Sequence, residues 1–157
     1  MLRRDSSRST FTTVRPAEGR DVARLLVLLL GAAAAEVEEA PRHAALRGLE
    51  LLVGDRHAPV LVAERGGVIM GMATVQGLVV ARAGGLAGVV DNLVLDPEAW
   101  RHGVQEDLLD GVVRQAKKRR FKALHVLVGH REDAALAGYR AAGWVPDGRM
   151  ALVRDLD

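Results

Sequence analysis

The stretch from Asp91 to Leu109, DNLVLDPEAWRHGVQEDLL, contains residue types that could bind an anion. Its first residues favour a short strand and Asp96-Pro97 favours a turn. The start of a helix presents free amides and the positive end of its dipole, which suit a phosphate group. The stretch therefore predicts a strand, a loop and a helix with a candidate phosphate site in the loop, because apolar residues recur after the loop at helical spacing: Val104, Leu108 and Val112.

Three neighbouring residues in this loop could supply the chemistry of phosphate binding. Gly103 has no Cβ, so an anion can approach the backbone closely there. Arg101 and His102 beside it could add positive charge or hydrogen-bond donors. A plain loop glycine is the structural alternative, since many α/β proteins have a strand, a glycine-containing loop and a helix without a ligand.

Composition limits the function classes. A chain of 157 residues predicts one domain with its own core, and the lack of apolar periodicity in residues 1–9 predicts a loose tail before a domain at 10–157. The 22 Lys and Arg against 20 Asp and Glu leave a net charge of +2, which argues against nucleic-acid binding. Without cysteine, and without ligand spacing among the histidines, we expect no metal site.

The apolar segment from Arg24 to Ala35, RLLVLLLGAAAA, is too short to cross a membrane. It resembles the apolar part of a signal peptide, but the long polar segment before it fits export poorly. A buried amphipathic helix explains the same residues. We therefore expect a cytoplasmic protein with no membrane segment.

Hydrophobic periodicity along the chain predicts the element order βααβββαβαβ. Glu64 to Gly67 has the glycines of a hairpin turn, Gly71 marks a bulge or a close neighbour, and Gly143 is expected to end a helix in the αL conformation. The predicted strands are Phe11–Val14, Pro59–Ala63, Val68–Val75, Gly88–Leu95, Ala123–Val128 and Met150–Val153, and the predicted helices are Val22–Leu29, Glu36–Leu52, Val104–Arg119 and one that begins at Glu132.

This order, with the central loop and a late helix leading to Gly143-Trp144, resembles the GNAT superfamily of acyl-CoA-dependent N-acyltransferases. Two segments carry the resemblance, VLDPEAWRHGVQEDLL and EDAALAGYRAAGWV, and it covers about Phe11 to Asp155. It implies an α+β fold in three layers. A central mixed, mostly antiparallel sheet of six to seven strands would be flanked by about four helices.

The resemblance also implies a cosubstrate site for acetyl-CoA. The backbone of Leu93, Val94 and Leu95 would bond to the acyl carbonyl and the pantetheine arm. Glu132 stands where the family has an asparagine before the last helix. The pyrophosphate would lie in the loop formed by Trp100, Arg101, His102, Gly103, Val104, Gln105 and Glu106.

Two residues receive catalytic roles from the same resemblance. Tyr139 would protonate the departing thiolate, which is chemically reasonable because a phenol with an ordinary pKa of about 10 is protonated at neutral pH. Asp91 would act as a base or as an anchor for the amine, and anchoring by charge is the simpler role for a carboxylate. The structural alternatives are a tyrosine packed on the core and an acid bonded to local amides.

The chain departs from the family pattern in the loop itself. The family has Gln or Arg where Trp100 stands, and Gly or Ala where Gln105 stands. Gln105 is therefore expected to place a bulky side chain where the backbone and the phosphate should nearly touch. Glu106 and Asp107 add two negative charges near the anion site. These departures keep open a second interpretation, a GNAT-like binding or regulatory module that has lost CoA binding.

The acceptor is left open at this stage. An enzyme of this family would acetylate a primary amine on a small molecule, an amino acid, an antibiotic or a protein. A third interpretation, acetylation of an aminoacyl-tRNA, rests on the basic run from Lys117 to Lys122 and the arginine-rich tail. An exposed edge strand such as Met150–Val153 would offer a route to a homodimer.

Overall fold

The computed structural model describes residues 11–31, 34–128, 133–148, 151–154 and 156. Short 3₁₀ helices precede α1, join β3 to β4, and join β4 to α3. The tail predicted at residues 1–9 lies outside the described residues. The elements in chain order are β1 (Thr12–Pro16), α1 (Val22–Leu30), α2 (Glu39–Gly54), β2 (Val60–Arg65), β3 (Val68–Val80), β4 (Gly85–Leu95), α3 (Val104–Lys118), β5 (Leu124–Val126) and α4 (Asp133–Ala141).

The strands form one mixed sheet in the order β1-β2-β3-β4-β5. All neighbours are antiparallel except β4 and β5, which are parallel. Gly66 and Gly67 join β2 to β3 with φ of 59° and 80°, the positive values that a two-residue hairpin turn requires. The expected mixed, mostly antiparallel sheet is confirmed.

Helices cover the two faces of the sheet because side chains alternate along each strand. On one face, Leu25 and Leu49 from α1 and α2 pack with Val62 and Met72 of the sheet. On the other face, α3 packs against the strand residues whose side chains point to the opposite side of the sheet. The buried residues of this core include Leu61, Val75, Val90, Val104, Leu108 and Val112. The three-layer α+β prediction is therefore correct.

The predicted number of strands is too high. Five strands are present in the described residues, where six to seven were expected, and the last β of the order βααβββαβαβ is missing from them. Met150 lies outside the described residues, and 151–153 form no strand. Leu152 and Val153 are 88% and 92% exposed, and β-forming residues adopt a strand only when neighbours pack against them. The described part of this segment, residues 151–153, therefore has no strand edge of the kind expected to pair in a homodimer.

A buried carboxylate joins β1, the start of α1 and β2. Arg15 donates to both oxygens of Asp21 at 2.7 and 3.1 Å and to Glu64 at 2.8 Å. The Asp21 side chain is 7% exposed, and it also accepts from the Glu18 amide at 2.8 Å. The Arg15 guanidinium holds the pKa of Asp21 below its ordinary value of 3.8, with a smaller contribution from the Glu18 amide.

Because the pKa of Asp21 is lowered, the free energy of unfolding depends on pH in the acidic range. A carboxylate with a lowered folded pKa stabilises the protein above about pH 4, its unfolded value, and the contribution is lost as the pH falls through the folded value. We expect Asp21→Asn to lower the free energy of unfolding at pH 7 by about 1.5–3 kcal/mol and to flatten its decrease below pH 4. Urea denaturation from pH 7 to pH 3 would measure both effects.

Glu39→Gln is the matched control for this prediction. Its carboxylate is 85% exposed and lies 3.9 Å from His43, so the substitution should change stability by about 0.5 kcal/mol or less. An Asp21→Asn protein as stable as the control at pH 7 would contradict the structural role of the cluster.

Candidate active site

A β-bulge in β4 begins the candidate site. Between two paired positions β3 advances two residues, from Met72 to Thr74, while β4 uses three, from Val94 back to Asp91. Asn92, within the extra step, has φ of +49°, a conformation that non-glycine residues seldom adopt. The Thr74 hydroxyl donates to the Asp91 carbonyl at 2.7 Å and fixes the strand beside the bulge. Bulges of this kind turn a strand and redirect its side chains.

Among the described residues, β4 and β5 pair before the bulge but not beyond it. Their parallel ladder joins Gly88–Val90 to Leu124–Val126. β4 continues from Asp91 to Leu95, and on its β5 side this segment has no strand partner in the described part of the chain. Backbone donors and acceptors on that side are therefore available to a ligand that enters between the two strands.

Asp96 anchors the loop that follows β4. Its carboxylate caps the 3₁₀ helix Pro97–His102 by accepting from the Glu98 amide at 3.0 Å, and it accepts from Arg24 of α1 at 2.6 Å. The Glu98 amide and the Arg24 guanidinium lower the pKa of Asp96. The same Arg24 also donates to the Ile69 carbonyl at 3.1 Å. The start of the loop is thus tied to α1 and β3.

Gly103 joins this 3₁₀ helix to α3 with φ of +66°, the left-handed conformation that favours glycine. A Cβ at Gly103 would find one atom within 4 Å, a carboxylate oxygen of Glu106 at 3.7 Å. The Asp107 amide donates to the Gly103 carbonyl, and the first turn of α3 starts at this glycine. The loop therefore has the open backbone and the helix start that an anion requires, with one carboxylate beside them.

Gln105 does not obstruct this loop, contrary to its expected steric effect. Its side chain is buried, with a residue exposure of 3%, and it lies against Gly138 of α4. The long side chain lies between α3 and α4, and its amide group is next to Gly138 rather than at the protein surface. The negative charge of Glu106 and the exposed ring of Trp100 are departures from the family pattern that remain at the loop surface.

Tyr139 lies beside the opening between β4 and β5. It is 4% exposed and packs with Leu109 of α3, and Leu93 and Val126 of the two diverging strands pack against this pair. Trp144 meets its ring edge to face, with ring centres 6.0 Å apart. The Trp144 amide donates to the Tyr139 carbonyl, and Gly143 ends the helix with φ of +85°, as predicted.

Asp91 lies in the bulge, and its carboxylate has local partners. It accepts from the Asn92 amide at 2.8 Å and more weakly from the Asn92 side chain at 3.4 Å. This is the local bonding that the structural alternative predicted. A carboxylate has about four acceptor positions, so these contacts leave capacity for an amine.

The structure brings most of the predicted site residues to one end of β4. Leu93 to Leu95 form its unpaired edge, Gly103 to Glu106 start α3, and Tyr139 packs on Leu93. Trp100 and Arg101 are exposed in the 3₁₀ helix, and Arg101 faces Glu98 at 3.6 Å. His102 is exposed beside them. Glu132 lies outside the described residues.

Four residues that support the site were not predicted from the sequence. Thr74, Arg24 and Gly138 come from other elements and reach the site only through the fold. Asn92 could have been noticed, because asparagine tolerates positive φ better than most residues. Within the part of the chain that the structure describes, no helix is long and apolar enough to cross a membrane.

A comparison of the sequence with known protein families identifies the class of protein. A model of the acetyltransferase (GNAT) family matches residues 23–144. The chain therefore belongs to the GNAT acetyltransferase family. No curated protein sequence matches the chain significantly.

Solved structures show the same fold. A transcriptional regulator from Bacillus halodurans has a TM-score of 0.80 and 18% identity, with 93% of this chain and 100% of that chain covered. A ribosomal-protein-alanine N-acetyltransferase from Brucella melitensis has a TM-score of 0.73 and 21% identity over 92% and 99%. An aminoglycoside N-acetyltransferase in complex with CoA has a TM-score of 0.76 and 14% identity over 96% and 99%.

The positive φ of Asn92 gives a test of the bulge. Asn92→Val should lower the free energy of unfolding by about 1–2 kcal/mol, because a β-branched residue is strained in the left-handed region. Asn92→Gly, the matched control, adopts this conformation freely and should stay close to the wild type. Urea denaturation measures both, and equal stability of the two variants would show that the bulge is not retained in solution.

Proposed function

We propose that the protein is an N-acetyltransferase that moves an acetyl group from acetyl-CoA to a primary amine by direct attack. The main support for this proposal is that two features lie close together in the chain. The end of β4 has no strand partner on its β5 side in the described residues, and the loop that follows it leads to the exposed start of α3. Two chemically different parts of one extended ligand, an acyl arm and a pyrophosphate, would be bound by these two features.

The backbone carries most of the proposed binding. Amides at the start of α3 would donate to the pyrophosphate around Gly103, where the strand-to-helix loop leaves room. The backbone of β4 from Leu93 to Leu95 would form hydrogen bonds to the pantetheine arm, as it would to a neighbouring strand. Acetyl-CoA supplies the activated acyl group. Backbone donors of β4 would stabilise negative charge that develops on the acyl oxygen.

Tyr139 and Asp91 have the proposed chemical roles. Tyr139 is held between α3 and the two diverging strands, so its phenol is near the opening where the thiol would lie. It would donate its proton to the departing sulfur. Asp91, at the bulge where the strands separate, would attract the ammonium form of the acceptor. A water would then carry the proton from the amine.

The acceptor is proposed only as an amine. The similar structures include a ribosomal-protein-alanine N-acetyltransferase and an aminoglycoside N-acetyltransferase, and both names specify acetylation at nitrogen. We extend this chemistry to the present chain and propose action in the cytoplasm. The aminoacyl-tRNA interpretation loses part of its support, because Arg119 of the basic run donates to the Arg56 and His57 carbonyls.

One observation favours the second candidate, a binding module without CoA affinity. Glu106 is exposed, and its carboxylate lies beside Gly103. It would repel the nearer charge of a pyrophosphate by about 1 kcal/mol at about 4 Å in water. A repulsion of this size weakens binding roughly fivefold and does not abolish it, so the enzyme remains the better proposal.

Titration with acetyl-CoA tests the cosubstrate site. We expect calorimetry to detect micromolar binding, and Gly103→Trp to abolish it, because a large side chain would fill the open loop. Gly84→Trp is the matched control. Gly84 has the same φ of +66° and free space around it, but it lies in the turn between β3 and β4. No binding at millimolar ligand would overturn the enzyme proposal in favour of the binding module.

Removal of the Glu106 charge should have the opposite effect. Glu106→Gln should bind acetyl-CoA about fivefold more tightly at low salt, with a smaller gain at high salt. Asp110→Asn changes the net charge equally one helical turn further along α3 and should have a smaller effect. Equal affinities of the two variants in the same calorimetric titration would show that Glu106 does not face the ligand.

Substitution of Tyr139 tests the proposed acid. Tyr139→Phe should lower kcat about 100-fold or more with little change in the KM for acetyl-CoA, because only the proton donor is removed. Trp144→Phe, at the neighbouring ring, keeps the phenol and should change kcat by only a few fold. Steady-state assays of thiol release measure both. A Tyr139→Phe enzyme with wild-type kcat would remove Tyr139 from the mechanism.

A further inference from the structure

Gln105 is a buried polar residue in the first turn of α3. It follows the loop glycine Gly103 by two positions, and it is 3% exposed. Its backbone therefore belongs to the proposed pyrophosphate site, while its side chain points into the protein interior. A side chain of this length must be accommodated by a neighbouring element, because protein interiors are close-packed.

The neighbouring element is α4, which accommodates the side chain at Gly138. A Cβ placed on Gly138 would lie 2.3 Å from Oε1 of Gln105, 2.7 Å from Cδ and 2.9 Å from Nε2. Real Cβ contacts are not this short, so any larger residue at 138 must displace the buried amide. Gln105 and Gly138 therefore form a complementary pair in which a long side chain occupies the space of an absent one.

The residue after Gly138 is Tyr139, so this contact is one residue from the proposed acid. The Gln105 side chain supports α4 from one side. Leu109, one turn after Gln105 along α3, contacts Tyr139 itself. The Gln105 side chain and Leu109 thus place α3 against two consecutive residues of α4, Gly138 and Tyr139.

We infer that Gln105 is a positioning residue that couples the proposed cosubstrate loop to Tyr139, by acting as a spacer of fixed length between α3 and α4. The inference rests on the proposed function for its catalytic consequence. The spacer itself follows from the packing of Gln105 against Gly138.

Kinetics test the catalytic consequence. Gln105→Ala should lower kcat about 10- to 100-fold, because a displacement near 1 Å can have an effect of this size, while the KM for acetyl-CoA changes less than threefold. In a Tyr139→Phe background the same substitution should change kcat less than twofold. Additive losses in the two backgrounds would show that Gln105 does not act through Tyr139.

Rescue tests the size relationship. Gly138→Ala alone should lower the Tm, because the new methyl group displaces the Gln105 amide. In the Gln105→Ala protein the same change should raise the Tm, because alanine is the better helix former and the space is now free. This reversal of sign is the expected signature of a spacer. A Tm that falls equally in both backgrounds would overturn the inference.

Gly111→Ala is the matched control for the rescue. A Cβ at Gly111 of α3 would lie 2.5 Å from Cγ1 of Val14 in β1, so the clash is similar in size but distant from α4. Gln105→Ala should not rescue Gly111→Ala. Rescue of both variants would indicate a general loosening of α3 and would contradict a specific spacer.

Trp144 provides a readout that does not require enzyme activity. Its ring contacts Tyr139, and with Trp100→Phe it becomes the single tryptophan of the chain. In that background Gln105→Ala and Gly138→Ala should each shift its emission, and the double substitution should restore it. If the wild type does not bind acetyl-CoA, the proposed function fails, but this measurement still decides the spacer. Unchanged emission in all variants would overturn the inference.

Discussion

The separation of β4 from β5 is the constraint on which the candidate site depends. An extra residue at the bulge and the end of the β5 ladder at Val90 leave the last part of β4 with one edge that has no strand partner among the described residues. Such an edge is costly for a protein unless it is paired or covered. Here Leu93 of β4 and Val126 of β5 both pack against Leu109 and Tyr139, which lie beside the point where the two strands stop pairing. The loop to α3 begins where β4 ends.

The fold was largely readable from the sequence because its signals are local. Val22, Leu25, Leu26 and Leu29 repeat at helical spacing, and Gly66-Gly67 specifies a hairpin, so these elements appear as predicted. The final strand failed because Met150–Val153 had only the composition of a strand. Whether such a segment pairs depends on a neighbour that a local pattern does not specify.

The candidate site was readable only in part, for a related reason. Gly103 was identified from its own loop as a residue without a Cβ beside a helix start, and it adopts a φ of +66° there. The effect of Gln105 was misjudged, because nothing in the sequence near residue 105 reveals that a glycine thirty-three positions later, Gly138, receives its side chain. The tie from Arg24 to Asp96 spans 72 positions and was equally invisible. Contacts between distant segments are properties of the fold.

The two cores on opposite faces of the sheet have a consequence for how this protein can diverge. Side chains such as Val62 and Met72 face α1 and α2, while Leu61 and Val75 face α3, so the cores share strands but not side chains. Substitutions at well-separated sites without common partners are nearly additive. The layer of α1 and α2 can thus accumulate changes with little effect on the core beneath α3. Under the proposed function, the α3 layer, which would hold the acyl donor, would be preserved while the opposite layer diverged.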